Sequence, residues 1–409
     1  MISSLYIHVP FCAAKCDYCD FYSIPVKNRD ERIGRYIEEI LRSTEAELER
    51  FRVESIPSIY IGGGSPSMLG AQRMTALLLG LSGILSRRSI SFPPEFTVEA
   101  NPESADRDFL SCCRDSGVTR LSLGLQSFCE STRRQLGRAG ESASLTRSLA
   151  LASGFFPGNF NADLMAALPG QDERELLSGI EKLLEYAPSH VSLYSLTVEE
   201  ETPLARRLSG SKLSLPPAEE ADRIWIAGRD ALEEAGYEQY EVSNFALPGK
   251  RSLHNIRYWR MENWLGTGPG ASGTIIDEEA GTGMRYTVPA DLDVWLLGQG
   301  DEAAGEALDR FTLMKESILM GFRCIEGPDP FLFRRRFGLD IEEAIPKTLE
   351  KWRGRGFVKK NASAMTGEGL LFLDSFVIDA FNELETILPA GRSGSVPKIP
   401  GGSQSSLSR

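Results

Sequence analysis

Along the first half of the chain, short runs of apolar residues alternate with longer stretches whose apolar positions recur every three or four residues. The short runs, at 5–9, 58–61, 96–100, 120–124, 159–164 and 190–196, have the length and composition of buried strands. The longer stretches, at 30–51, 68–85, 106–116, 142–154 and 172–186, read as amphipathic helices. Strict alternation of the two predicts a parallel sheet, because a parallel neighbour needs a crossover long enough to hold a helix. Six such units are too few for a closed eight-stranded barrel. The pattern therefore predicts an α/β fold, a partial (β/α)6 barrel over residues 1–235. Parallel strands bring their C-terminal ends to one side, so the loops after the strands form the reactive face.

Beyond residue 205 the pattern changes. A polar connector at 206–217 and a helix at 216–235 lead into a Gly- and aromatic-rich stretch, 236–305. Residues 306–382 carry helical patterns and β-like runs at 356–358 and 369–373, which predict a smaller, mostly helical, winged-helix-like C-terminal module. Residues 383–409 are largely Gly, Ser, Pro and Arg, the composition of a disordered tail.

Composition adds limits. With 42% apolar and 25% charged residues the chain is of ordinary globular type, and no stretch reads as approaching the length of a membrane span. No basic-then-apolar signal pattern opens it, and seven cysteines suit a reducing compartment, so a cytoplasmic location is expected. A net charge of −12 argues against general nucleic-acid binding, which rests on a basic surface. The basic runs Arg334-Arg335-Arg336 and Lys359-Lys360 read as solvated faces or turns.

The candidate chemistry sits where strands end. Cys12, Cys16 and Cys19 follow the first strand in a C-x3-C-x2-C spacing. Three thiolates leave one iron of a cubane iron–sulfur cluster without a protein thiolate, open to a further ligand. Zinc is the competing reading, although its structural sites usually close with four ligands. His8 offers a fourth ligand on paper, but in a strand its ring should point away from the thiols. Gly62-Gly63-Gly64-Ser65 follows the second strand and lets a ligand approach the backbone. Glu99, Gln126, Arg138 and Asp163, at or beyond later strand ends, supply donors and acceptors. Taken singly, each of these also reads as a cap or an ion-pair partner.

Taken together, these residues resemble the radical S-adenosylmethionine (SAM) superfamily, and more narrowly its oxygen-independent coproporphyrinogen oxidase group. The likeness runs through Tyr6-Ile7-His8-Val9-Pro10-Phe11-Cys12, Cys16-Asp17-Tyr18-Cys19-Asp20-Phe21, Gly62–Pro66, Glu99-Ala100-Asn101-Pro102, 123–128, Asp163 and 168–171. It implies a 4Fe–4S cluster on Cys12, Cys16 and Cys19, whose open iron binds SAM and whose electron cleaves it to a carbon radical. It also implies SAM contacts from Tyr6, Tyr18, Gly63, Gly64, Ser65, Glu99, Gln126, Arg138 and Asp163. Ser65 stands where Thr is usual and keeps the hydroxyl.

Two branches of the group differ at one position. The oxidases carry a further Cys two residues after the third cluster cysteine, where this chain has Phe21. Phe21 there resembles the haem-chaperone branch, whose members bind haem and pass it to haem-requiring apoproteins. That branch carries H-N-x-x-Y-W, matched by His254-Asn255-Ile256-Arg257-Tyr258-Trp259, which implies haem contacts from His254, Tyr258 and Trp259. A core histidine among aromatic rings is the alternative. The segment 136–140 lacks a His common in relatives, and Ser272 stands where another is common. The resemblance implies haem-accepting apoproteins, an electron donor and a second copy of the chain as partners. The decarboxylating oxidase remains the second reading.

Overall fold

The computed structural model describes residues 1–27, 30–138, 140–210, 212–298 and 304–387. Each apolar run of the first half is a strand: β1 (Ser4–Val9), β2 (Ser58–Gly63), β3 (Glu95–Ala100), β4 (Arg120–Gln126), β5 (Phe160–Ala166) and β6 (His190–Ser195). They pair in sequence order and all in parallel. The crossovers carry α1 (Arg32–Arg50), α2 (Gly70–Arg87), α3 (Arg107–Asp115), α4 (Ser142–Phe155) and α5 (Glu173–Leu184). This is the expected partial (β/α)6 barrel. Helix starts follow local chemistry: Asp106 and Asp172 accept hydrogen bonds from the backbone N–H groups of Phe109 and Glu175, which would otherwise be orphaned.

Alternation across the sheet separates two environments. Leu5, Ile7, Ile59, Ile61, Phe96, Val98, Leu121, Leu123, Leu164, Val191 and Leu193 are buried in the main apolar core. The alternate residues, among them Tyr6, Tyr60, Glu99, Ser122, Asn161, Asp163, His190 and Ser192, turn to the other face and are mostly polar. Burying a Leu or Ile side chain is worth about 1.5–3 kcal/mol, so the outer face carries the stability and the inner face is left free for chemistry. Helix α2 changes one expectation. Pro66–Arg87, with a mean hydropathy of 1.3, is long and apolar enough to cross a bilayer. Its Met74, Leu77, Leu78, Leu81, Ile84 and Leu85 are instead buried in the barrel's core, so its apolarity is that of a core helix.

The stretch 236–305 supplies strands to the same sheet. After α6 (Ala218–Glu234), β7 (Glu238–Gln239) and β8 (Asn244–Ala246) extend it beyond β6. After α7 (Leu253–Trp259), β9 (Trp264–Thr267) pairs in parallel with β1, and β10 (Ser272–Asp277), β11 (Thr282–Thr287) and β12 (Ala304–Leu308) continue outward as antiparallel strands. Among the described residues the sheet has 12 strands in the order β12-β11-β10-β9-β1-β2-β3-β4-β5-β6-β8-β7.

The C-terminal module is helical: α8 (Arg310–Gly321), α9 (Pro330–Phe337), α10 (Pro346–Gly354) and α11 (Leu373–Ile387). Its core, with Phe322, Phe333, Phe337, Trp352 and Phe376, also takes in Trp264 of β9 and Ile276 of β10. Of the two β-like runs, Val358 pairs with Met365 in an isolated antiparallel bridge. The run at 369–373 is not extended: Thr366 caps a helical turn at Gly367–Leu370, and α11 follows. Nor is the basic run at 334–336 simply solvated. Arg336 is 2% exposed and pairs through two nitrogens with Glu278 at 2.8 and 2.9 Å. The connector expected at 206–217 begins inside a short helix, Pro203–Ser209, capped by Thr202. Residues 383–387 of the expected tail belong to α11, and 388–409 lie outside the described residues.

Candidate functional site

The cysteine loop is tied down on several sides. Phe11–Cys12 pairs with Ile24–Pro25, the N–H of Ile24 donating to Pro10 O (2.7 Å) and that of Val26 to Cys12 O (2.9 Å). At the middle of the loop the Asp17 N–H donates to Leu136 O (2.9 Å), its carbonyl accepts from Leu204 N (2.9 Å), and its carboxylate pairs with Arg207 (2.5 Å). All three thiols are free, Cys12 buried and Cys16 and Cys19 partly exposed. Burial pushes the Cys12 thiol up to about 11 and raises that of Cys19, so loading a metal there releases protons. Among the described residues no three His, Cys, Asp or Glu side chains are gathered to hold one metal ion. A cubane asks for a different layout, one thiolate per iron.

Below the loop lies a cavity of about 430 Å³, within the range of small-molecule sites. It is lined by Cys12, Cys16, Tyr18, Cys19, Gly63, Gly64, Ser65, Glu99, Gln126, Arg138 and Asp163, which brings together most of the residues singled out in the sequence. Tyr194 of β6 and Gly63 of β2 face the same space, which shows that the sheet curves round. Tyr6 does not line it. Tyr6 sits deeper, its ring stacked on Tyr60 and its hydroxyl 3.0 Å from His8 Nδ1. The other ring nitrogen of His8 lies 2.8 Å from Tyr22 O, so both are occupied and the imidazole is no fourth ligand in this arrangement.

The glycines work differently from a loop that offers its N–H groups. Gly63 N–H donates to Glu99 Oε2 (3.1 Å), Gly64 N–H to Val9 O (2.8 Å) and Ser65 N–H to Phe11 O (2.8 Å). The Gly63 donor ties the second strand's end to the third strand, and those of Gly64 and Ser65 tie it to the end of the first strand and the start of the cysteine loop. What the glycines provide is close approach: a Cβ on Gly63, at φ +108°, would lie within 2.4 Å of the His8 ring, and one on Gly64 within 2.8 Å of Phe11 O. Gln126 adopts a positive φ of 68° where the pairing of β4 with β5 slips a register. The irregularity aims a non-glycine side chain into the cavity at a backbone cost of order 1–3 kcal/mol.

Three charged groups meet here. Glu99 accepts from the Tyr60 hydroxyl at 2.6 Å, and burial lifts its carboxyl to about 7, against the opposing pull of that hydroxyl. Burial raises Asp163 as well, countered by hydrogen bonds from Ser192, Asn161 and Ser122. Arg138 donates through Nη2 to Asn101 Oδ1 (2.9 Å) and to Gly124 O, and its Nη1 approaches Tyr18 OH (3.4 Å) and Cys16 Sγ (3.8 Å). Burial works against its charge, but Tyr18 and Cys16 beside it leave the guanidinium firmly protonated. Its Nε is buried with no partner, a donor suited to a ligand entering the cavity. The guanidinium thus spans the cysteine loop and the cavity. Tyr60, inside β2, was not singled out from sequence, and Asn101 was named only as part of the run 99–102; the bonds of their neighbours reveal both.

Phe21 is 64% exposed and stands at the cavity's rim. The H-N-x-x-Y-W segment lies elsewhere. His254 is 4% exposed, its Nδ1 2.9 Å from the Ser58 hydroxyl at the start of β2. The far end of that strand, Gly63, is about 16 Å away at strand rise. Glu95 caps the motif's helix, accepting from Ser252 Oγ (3.2 Å) and from Leu253 and His254 N–H (both 2.8 Å). Tyr258 packs on Trp264 and Trp259 under the Arg323 guanidinium. Burial lowers the His254 pKa to about 3, so its ring is neutral. Of the two positions lacking a common His, Ser272 shares a 2.9 Å hydrogen bond with Thr287, while residue 139 lies outside the described residues.

Residues 6–203 match the family model for the radical SAM superfamily. The chain is 34% identical over 379 residues to the haem chaperone HemW of Escherichia coli, covering 91% of this chain and 97% of that one. It is 32% identical over 408 residues to the bovine mitochondrial radical S-adenosyl methionine domain-containing protein 1, covering 97% and 91%. In structure it resembles the coproporphyrinogen III oxidase HemN of Escherichia coli, with a TM-score of 0.76 over 92% of this chain and 89% of that one; at 20% identity this shows a shared fold. A 4Fe–4S cluster and SAM are the cofactors this superfamily implies, and the three thiols, the unpartnered Arg138 Nε and the carboxylates of Glu99 and Asp163 are a donor and acceptor set that fits them. With identity of this order over nearly the whole of both sequences, the chain belongs to the HemW family of radical SAM proteins.

Proposed function

We propose that the chain binds haem and delivers it to haem-requiring apoproteins, with a 4Fe–4S cluster on Cys12, Cys16 and Cys19 and SAM in the cavity beneath. When bound, the cluster and SAM supply one-electron chemistry. The protein's own residues hold and orient. Arg138 keeps a positive charge beside Cys16 and lines the cavity. Glu99 and Asp163 accept hydrogen bonds from hydroxyl or ammonium donors, and Gln126 and the Ser65 hydroxyl complete the polar wall. Tyr18 closes one side, and Tyr6 supports Tyr60 from below.

The observation that carries the reading is Phe21. Where the oxidase branch has a further thiol, this chain sets an exposed aromatic ring at the mouth of the site. Anaerobic incubation of cluster-loaded protein with coproporphyrinogen, SAM and a reductant should yield no protoporphyrinogen. Its formation would establish the decarboxylating activity and sink a chaperone-only function.

Haem contact through His254, Tyr258 and Trp259 is part of the same reading. Because His254 is held by Ser58 and its helix by Glu95, haem reaches the imidazole only after α7 withdraws from the barrel's base. His254→Ala should weaken haem binding; an unchanged haem spectrum and affinity would remove His254 from the site. A separate electron donor would serve the cluster, and a second copy of the chain completes the proposed partner set. Sedimentation of the protein with and without haem reads the latter. A cytoplasmic setting, which keeps thiols reduced, suits seven free cysteines.

A further inference from the structure

Behind Asp163 lies a chain of buried polar side chains that the cofactor site does not itself use. Strand register places Ser122, Asn161 and His190 side by side on the barrel's inner face, one rung below Gly124, Asp163 and Ser192. Asn161, His190 and Tyr240 are all buried, and none of the three lines the cavity. Water cannot replace a lost partner there, so each bond fixes the next.

Directions follow from donor and acceptor identity. The Asn161 amide nitrogen lies 2.8 Å from Asp163 Oδ1 and 2.8 Å from Ser122 Oγ. The amide oxygen lies 2.7 Å from His190 Nδ1 and 3.3 Å from Ser192 Oγ. His190 Nε2 is 2.8 Å from the Tyr240 hydroxyl. Burial holds the His190 pKa well below its usual value, so the ring is neutral and carries one N–H. With that hydrogen on Nδ1, Tyr240 donates to Nε2, Nδ1 donates to the amide oxygen, and the amide NH2 is left facing the carboxylate. The reversed amide would set an oxygen lone pair against Asp163 and an N–H against an N–H. Tyr240 is itself fixed, its carbonyl accepting from the N–H of Ile325 in the C-terminal module (3.1 Å).

We infer that Asn161, oriented by His190 and Tyr240, is a positioning residue that holds the Asp163 carboxylate ready for the hydroxyl or ammonium donors of SAM. This rests on the cofactor reading above. Asn161 touches no cofactor; it acts through Asp163. The other titratable or charged groups facing Asp163 are Arg138, Glu99, Tyr60 and Tyr194, and Arg120 faces His190.

The test is SAM binding by equilibrium dialysis to cluster-loaded protein across pH 6 to 9, with iron content as a loading control. Asn161→Asp places a second carboxylate against Asp163, and the pair then shares a proton. The midpoint of the pH dependence should move up by about a unit or more relative to wild type, which reads whether position 161 faces an Asp163 carboxylate that binds SAM. An unmoved profile in folded, iron-loaded protein overturns the inference. Should Asn161→Asp fail to fold, His190→Leu removes the orienting donor and should weaken SAM about tenfold at constant iron content; unchanged affinity overturns the inference equally. Asp163→Asn separates the two levels. If it binds SAM as wild type does, the cofactor reading fails at Asp163 and the inference falls with it. If Asp163→Asn weakens binding while the Asn161 and His190 variants do not, only the inference fails.

Discussion

At Glu99, burial and hydrogen bonding pull in opposite directions, and burial wins. Its carboxyl rises from 4.5 to about 7 although Tyr60 and Gly63 donate to it. A carboxyl raised on folding contributes stability that is fully present below its unfolded value and is lost as pH climbs through its folded one. Between pH 4.5 and 7 the protein without ligand should lose about 3 kcal/mol from this group. Denaturant unfolding of wild type and Glu99→Gln across that window checks it: the variant's curve should be flatter, and parallel curves would refute the assignment. Cys16→Ser should abolish the cluster and leave the barrel folded. Wild-type visible absorption after reconstitution would contradict the role of Cys16. Glu99, Gln126, Asp163 and the cysteines were legible because each marks a place where an apolar run stops. Asn161, His190, Ser122 and Tyr60 were not, because they lie inside such runs. The polar residues alternate there with Ile, Leu and Val, and that period of two was the signal available.

At the scale of elements, the six core strands matched their apolar runs within a residue or two, since parallel strands covered by helices must be apolar on that side. The outer strands were invisible for a different reason. β7 has two residues and β8 three, and β9 gains its identity from pairing Ser4 with Trp264, a contact no local pattern encodes. Gly63→Ala forces a methyl into the His8 ring at a positive φ, and should loosen the cysteine loop enough to lower iron loading several-fold; full loading would show that the close approach is dispensable. Glu95→Gln weakens the charged cap of α7 and should cost about 1–2 kcal/mol in denaturant unfolding. A change within error would mean that α7 is held chiefly by His254, Tyr258 and Trp259.

Across the whole molecule, two apolar cores meet at the sheet's extension, where Trp264 and Ile276 belong to the second core although their strands belong to the first sheet. The cluster loop and the H-N-x-x-Y-W segment thus occupy opposite ends of one barrel, linked by strands whose inner faces are mostly polar. Cluster chemistry at one end and the proposed haem contacts at the other is a layout suited to a carrier whose loading is controlled. Haem delivery is tested by anaerobic titration of cluster-loaded protein with haem, followed by mixing with an apo-haemoprotein. Saturable binding of haem by the chain and the appearance of the acceptor's own haem spectrum are expected. Protein that binds no haem, or holds it without transfer, would contradict haem delivery.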